Sequence, residues 1–397
     1  MRPFKHLIAL EKAIDIAIGA VRQVNRVEEV PLWQAVGRVL TGDIVAPLDV
    51  PAFDKAAMDG FALRSEDTRG GATEEVKLRV LAKSHAGEPY GGVVGAGECV
   101  EVATGSSVPQ GCDSVIEVEA VELGGSEISL SKEVVPGRNV SPRGEDIRKG
   151  DKLVLEGTTL APGHLGAISA LGLVNVEVFE RPSVAIFATG REVRRSGPLG
   201  PGEVYDVNSY TLAGLIQENG GAVRIFDPVP DEFDEIKTAV AQARKHDMVV
   251  LSGSSSVGER DFLRDAAASL GEVLFHGVAA KPGKPLLLAQ VGNGLVFGMP
   301  GFPASCLLVA YHVLLPVLRK MARLPTDLGK ASFILGEDMP VKDDKTQLVT
   351  VHIEAGRAYR AFRKAGSITS VSRGEGYVVI PDGQKLNEGE FVEVILF

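Results

Sequence analysis

Cysteine is scarce. Cys99, Cys112 and Cys306 are the only three in 397 residues, they stand far apart, and none has C-x-x-C spacing. A disulfide framework and a zinc ribbon are excluded, and a reducing cytosol is the expected home. Aromatic residues make up only 6% of the chain, with Trp33 the single tryptophan, so no stacking platform for single-stranded nucleic acid is expected. Positive charge is also short. The 42 basic residues against 52 acidic ones leave a formal net charge of -10, which argues against nucleic-acid or anionic-membrane partners. An anionic ligand must find its positive field locally. Long apolar runs are missing too: the longest, at residues 304–318, spans about 15 residues and contains His312 and Pro316, short of the roughly 20 a membrane helix needs. Near the start, Glu11, Lys12 and Asp15 break any signal-peptide core. A cytoplasmic location is the expectation.

Glycine is what the chain has in excess. Its 46 glycines are about 12% of the residues, against a usual figure of about 7%. With the 22 prolines the total stays well below the roughly 25–30% of low-complexity chains, so the excess belongs to turns of a folded protein. The length allows two to four domains at roughly 150 residues each.

Residues 7–22 put Leu7, Leu10, Ile14, Ile18 and Val21 at helical spacing. Residues 49–67 are rich in turn formers, and residues 75–138 carry short β-type runs, which predicts a small β domain. A second turn-rich stretch covers residues 136–150. From 183 to 321 strands and helices alternate: strands at 183–188, 222–226, 248–251 and 286–297, and helices after Asn208 as N-cap, across 231–246, at 262–270 and at 304–318. This predicts an α/β fold with a doubly wound, mostly parallel sheet. From 329 onward helical signals vanish and β patterns return.

In such a sheet, ligands bind beyond the carboxyl ends of the strands. Three glycine-bearing loops fall there: Thr189-Gly190, the loop of Gly253, Ser254, Ser256 and Gly258, and Pro300-Gly301. Small residues let backbone N–H groups approach an anion, and helix N-termini add partial positive charge. A standard P-loop is excluded because Glu259 stands where the lysine would be. Lys281 and Lys284, stiffened by Pro282, Gly283 and Pro285, can bind an oxyanion or simply be solvated. Asp59, Glu145, Asp146, Glu192, Asp231 and Asp261 recur in turn-rich stretches, and carboxylates beside a phosphate loop commonly hold Mg²⁺. Alternatives stay open: Asp261 can N-cap the helix at 262, and Asp59-Gly60 can be a tight turn. The seven histidines show no metal-ligand spacing.

Taken in order, these stretches resemble the MoeA family of molybdopterin molybdenumtransferases, to which gephyrin-type E domains also belong. The likeness rests on residues 51–60, on Ala103-Thr104-Gly105, on Gly144-Glu145-Asp146-Ile147, and on Thr189-Gly190 with Glu192. It continues through Tyr205-Asp206-Val207-Asn208, residues 256–261, residues 281–285, residues 298–301 and Gly366-Ser367. The resemblance implies an elongated, discontinuous N-terminal domain (1–48 plus 140–180) and a β-rich domain (49–139). It further implies an α/β molybdopterin-binding domain like MoaB and MogA (181–326) and a C-terminal β-barrel-like domain (327–397). It implies a homodimer that inserts molybdate, the substrate, into adenylylated molybdopterin with Mg²⁺-dependent loss of AMP, and a possible MogA-type adenylyltransferase as partner.

Carried onto this chain, the resemblance makes Asp59, Thr104, Asp146, Glu192, Asp231 and Asp261 catalytic, with Asp261 on the metal and the first three supplied across the dimer. Thr189, Gly190, Gly253, Ser254, Ser256, Gly258, Lys281, Lys284, Pro300, Gly301 and Ser367 would bind substrate. The chain departs from the family pattern at Ser141, Arg191, Ser254 and Phe302. Those departures keep one alternative, a paralogue that binds the pterin without full catalysis, and a tungstate-inserting variant is a second, because tungstate and molybdate have nearly the same size and charge.

Overall fold

The computed structural model describes residues 7–253, 261–339, 345–361 and 368–397. The chain forms two compact units, one of residues 1–28, 37–39 and 178–397, the other of residues 29–36 and 40–177.

The first unit is built on a six-stranded sheet. Its spatial order is Ala222–Ile225, Ser183–Ala188, Met248–Ser252, Gly294–Met299, Leu287–Val291, Glu272–His276. The first four strands run parallel and the last two antiparallel to their neighbours, the doubly wound, mostly parallel arrangement expected. Met248–Ser252 and Gly294–Met299 are buried at every position, as strands covered on both faces must be. Val184, Ile186, Val250 and Phe297 face one core, shared with helices Leu10–Gly19, Asn208–Glu218 and the long helix beginning at Pro303. Ala185, Val249, Leu251 and Val296 alternate to the other face, under helices Phe233–Ala241 and Phe262–Leu270. Each fully buried Val, Leu or Ile adds roughly 1.5–3 kcal/mol, so this sheet is a rigid platform.

Two details differ from the sequence expectation. Asn208 is not the N-cap: it is the first residue of its helix, and Asp206 takes the capping role by accepting the Ser209 N–H at 3.0 Å. The helix expected at 304–318 spans Pro303–Met321, 19 residues, and is interrupted by a π turn at Ala310–Leu314. Pro316 cannot donate to His312 and its ring crowds that carbonyl, and the wider turn just before it relieves the clash. The helix is long and apolar enough to cross a membrane by length and composition, yet Cys306, Leu308, Val313, Leu314, Val317 and Leu318 are all spent in the sheet's core.

The C-terminal part of this unit is a closed five-stranded barrel. Thr346–Glu354, Arg357–Arg360, Lys330–Leu335, Phe391–Leu396 and Gly376–Ile380 follow one another, and the last pairs back to the first. Leu335, Val351, Ala358, Val378 and Val394 fill its interior. A short helix, Thr369–Ser372, interrupts the β pattern expected throughout. The barrel is tied to the sheet by His312 Nδ1, 3.0 Å from the Tyr377 hydroxyl, and by Tyr311 against Phe397.

The second unit carries a six-stranded sheet in the order Ser114–Glu117, Gly60–Leu63, Glu98–Val102, Val76–Ser84, Glu127–Leu130, Glu122–Gly124. Phe61, Leu63 and Ile116 pack on one face, Ala62, Val100 and Val115 on the other.

Candidate functional site

Register decides where the loops of the first unit meet. Ala188 pairs with Ser252 and Ser252 with Met299, so three neighbouring parallel strands end level. Thr189-Gly190, Gly253 and Pro300-Gly301 therefore emerge side by side, as the sequence spacing predicted. The turns are fitted closely. The Gly253 N–H donates to Met299 O at 3.3 Å, Gly253 has φ +111°, and a Cβ there would lie 2.6 Å from Thr189 O. At Gly301 a Cβ would come 3.3 Å from the Gly253 Cα. Gly253 needs to be glycine because the loops abut, and Gly301 is tightly fitted against it. Thr189 is used inside its turn: its N–H and hydroxyl both donate to Ser252 O, at 2.8 and 3.1 Å.

Asn208, expected as a helix cap, does something else. Its Nδ2 donates to Gly301 O at 2.9 Å, and the residue is buried. It pins the Pro300-Gly301 loop to the helix that follows Asp206. Phe302, beside it, is 64% exposed.

Glu192, Asp231 and Asp261 are brought together. The Asp231 carboxyl is held above the usual carboxylate range, first by desolvation and then by the negative charges of Asp261 and Glu192. Asp261 realises its alternative role as well: Oδ1 accepts the Arg264 N–H at 3.1 Å, capping the Phe262–Leu270 helix. Its Oδ2 lies 3.0 Å from Nε2 of His276. The Glu192 carboxylate sits over Gly190, where a Cβ would lie 2.6 Å from Oε2. Arg191 turns to Glu232 in an ion pair. Among the described residues, no three His, Cys, Asp or Glu side chains are grouped to hold a metal by themselves.

Lys281 and Lys284 lie on an exposed turn. Val278 N–H donates to Lys284 O at 2.9 Å, closing the turn, and Gly283, at φ +124°, packs where a Cβ would lie 2.6 Å from Val309 Cγ2. Ala280 and Lys281 pair in parallel with Thr346 and Gln347 of the barrel, so the turn that links Glu272–His276 to Leu287–Val291 also carries an outer strand of the barrel sheet.

In the second unit Asp59 and Thr104 meet directly: the Thr104 N–H and hydroxyl donate to Asp59 Oδ1 at 2.6 and 2.9 Å. Those two bonds, with Lys83 nearby, hold the Asp59 carboxyl below the usual range. Asp146 is exposed on a turn whose backbone bonds to Val50. Asp49 and Asp54 fasten that turn: Asp49 Oδ1 accepts the Lys149 N–H at 2.8 Å, Asp49 Oδ2 accepts Arg143 Nε at 2.6 Å, and Asp54 accepts the Arg143 N–H at 2.8 Å.

Ser254, Ser256, Gly258 and Ser367 lie outside the described residues. Sequence reasoning missed Asn208 as a loop anchor and His276 altogether. The only signal for His276 was its place at the end of the strand after the Asp261 helix.

Residues 8–172 match the family described as MoeA N-terminal region (domain I and II). Residues 185–320 match the probable molybdopterin binding domain, and residues 333–397 the MoeA C-terminal region (domain IV). The molybdopterin molybdenumtransferase of Haemophilus influenzae is 33% identical over 318 residues, 79% of this chain and 78% of that one. The protein of the same name from Bacillus subtilis is 32% identical over 410 residues, 98% of this chain and 95% of that one. A crystal structure of the molybdopterin biosynthesis MoeA protein from Pyrococcus horikosii, 35% identical, has a TM-score of 0.86, covering 98% of this chain and 99% of that one.

Proposed function

The chain belongs to the MoeA family and is an enzyme of molybdenum cofactor biosynthesis that transfers molybdenum to molybdopterin, and we propose that it inserts molybdate into adenylylated molybdopterin with release of AMP. The observation that carries this reading is the level ending of Ala188, Ser252 and Met299, which sets three glycine turns beside Glu192, Asp231 and Asp261.

In this reading the turns at Gly190, Gly253 and Gly301, where the missing side chains let a ligand come close to the backbone, receive the phosphates, and Lys281 with Lys284 holds the oxyanion. Mg²⁺ suits the donor set: the carboxylates are hard oxygen donors, and their mutual repulsion at Asp231 is the charge imbalance a divalent cation relieves. Mg²⁺ is usually held by one or two carboxylates with substrate phosphates completing the shell. Asp261 would hold it, with the substrate phosphates completing the shell, and it would screen the charge of the phosphates and of Asp231 and Glu192 nearby. Asp59, Thr104 and Asp146 would be contributed across a homodimer. The four-domain division, a cytoplasmic setting and supply of the substrate by a MogA-type adenylyltransferase belong to the same reading. The Arg191 charge that favoured a non-catalytic paralogue is engaged by Glu232.

The test is AMP release from adenylylated molybdopterin by purified protein with Mg²⁺ and molybdate, run also with tungstate in competition. Release that needs molybdate and is abolished by Asp261→Ala supports the reading. No release, under conditions where a relative turns over, overturns it.

A further inference from the structure

Asp261 and His276 meet because of how the chain reverses between them. The Phe262–Leu270 helix has nine residues and the Glu272–His276 strand five, rises of about 13 Å and about 16 Å in opposite directions. Gly271 alone joins them, and a Cβ there would lie 2.0 Å from Gln290 O. The tight reversal returns residue 276 to the level of residue 261. There Nε2 of His276 lies 3.0 Å from Asp261 Oδ2, with the two side chains only 16% and 21% exposed, while Oδ1 takes the Arg264 N–H at 3.1 Å.

We infer that His276 is a positioning residue that fixes the Asp261 carboxylate for cation binding, an inference that rests on the metal reading above. A carboxylate offers about four acceptor sites. With one oxygen held by a backbone N–H and the edge of the imidazole ring standing 3.0 Å from the other, rotation of the group is blocked by the ring and its remaining lone pairs keep one direction. Without the imidazole, among the described residues the helix cap alone holds Asp261, and one oxygen is left to swing. Partners that orient a metal-ligating group typically change affinity by about 10–100-fold when removed.

The experiment uses the full-length protein and Mn²⁺ as the probe, titrated by electron paramagnetic resonance with AMP present. His276→Ala is expected to weaken Mn²⁺ binding about tenfold or more. His276→Gln, whose amide N–H reaches a similar point, is expected to recover most of the loss. In turnover, His276→Ala is expected to raise the Mg²⁺ concentration for half-maximal rate while leaving kcat at saturating Mg²⁺ nearly unchanged. Should His276→Ala not fold, His276→Asn, whose shorter amide falls short of Asp261, supplies the same loss. A folded loss variant that keeps wild-type Mn²⁺ affinity overturns the inference and leaves the metal reading intact. Wild-type protein that binds no Mn²⁺ overturns the metal reading and the inference with it.

Discussion

Thr104 holds Asp59 with two donors on one oxygen: its N–H and its hydroxyl both reach Oδ1, at 2.6 and 2.9 Å. The next residue, Gly60, leaves no room for a side chain, since a Cβ would lie 1.9 Å from Ile116 O. The carboxylate is thus fixed in place and kept ionised on an exposed surface. An ionised, oriented and exposed carboxylate suits a role toward ligand better than a role in stability.

Asp59→Asn is accordingly expected to lower AMP release by about 100-fold, and Thr104→Val, which keeps the backbone donor, by about tenfold. Steady-state assays check this alongside melting curves, which should move little. Unchanged turnover in Asp59→Asn would remove this residue from the site.

Asn208→Ala deletes the donor on Gly301 O from a buried position. A loss of about 1–3 kcal/mol is expected in urea unfolding, because the carbonyl is left without that partner. Asn208→Asp is expected to be worse, since a carboxylate would face the carbonyl. If both variants unfold like the wild type, the anchor is dispensable.

Gly253→Ala forces a side chain into φ +111° and against Thr189 O. The expected cost is about 1–3 kcal/mol, with AMP affinity lost as the three turns separate. Gly214→Ala is the control: it is helical with nothing within 4 Å, and is expected to stabilise by roughly 0.5–1 kcal/mol. Calorimetric binding of AMP to both variants distinguishes strain at the site from a general glycine effect.

His312 gives a pH signature. Burial, with a smaller push from Lys330, lowers its pKa from 6.5 to about 4, while its Nδ1 meets the Tyr377 hydroxyl. A neutral folded imidazole adds no penalty above pH 6.5; as pH falls from there to about 4 the unfolded chain takes up a proton that the folded one refuses. Stability is therefore lost toward acid, on the order of 3 kcal/mol in all. His312→Gln is expected to flatten the dependence of melting temperature on pH between 4 and 6.5. A slope identical to the wild type would show that other groups set it.

The sheet and its loops were legible because two signals coincide in them. Continuous apolar runs such as residues 248–251 mark buried parallel strands, and glycine at residues 190, 253 and 301 marks the closely fitted turns at the strand ends. Side chains that cross between elements were not legible. Asn208 reads locally as a cap, and only the third dimension shows that Asp206 caps while Asn208 crosses to Gly301. His276 lies 15 positions from Asp261 in sequence, and their contact depends on a reversal at Gly271 that no spacing rule encodes. The π turn at 310–314 is hidden for another reason: apolar periodicity is nearly the same in α and π turns over so short a stretch.

The pairing of Ala280 and Lys281 with Thr346 and Gln347 bears on how the molecule opens. A segment hydrogen-bonded to the barrel cannot stay ordered when the barrel's strands separate, so amide hydrogens of the lysine turn and of residues 346–351 belong to one cooperative unit. Their exchange with solvent deuterium should share a single opening free energy, distinct from that of the central strands at 248–252. Lys281 and Lys284 would then be released by an excursion of the barrel while the glycine turns stay folded.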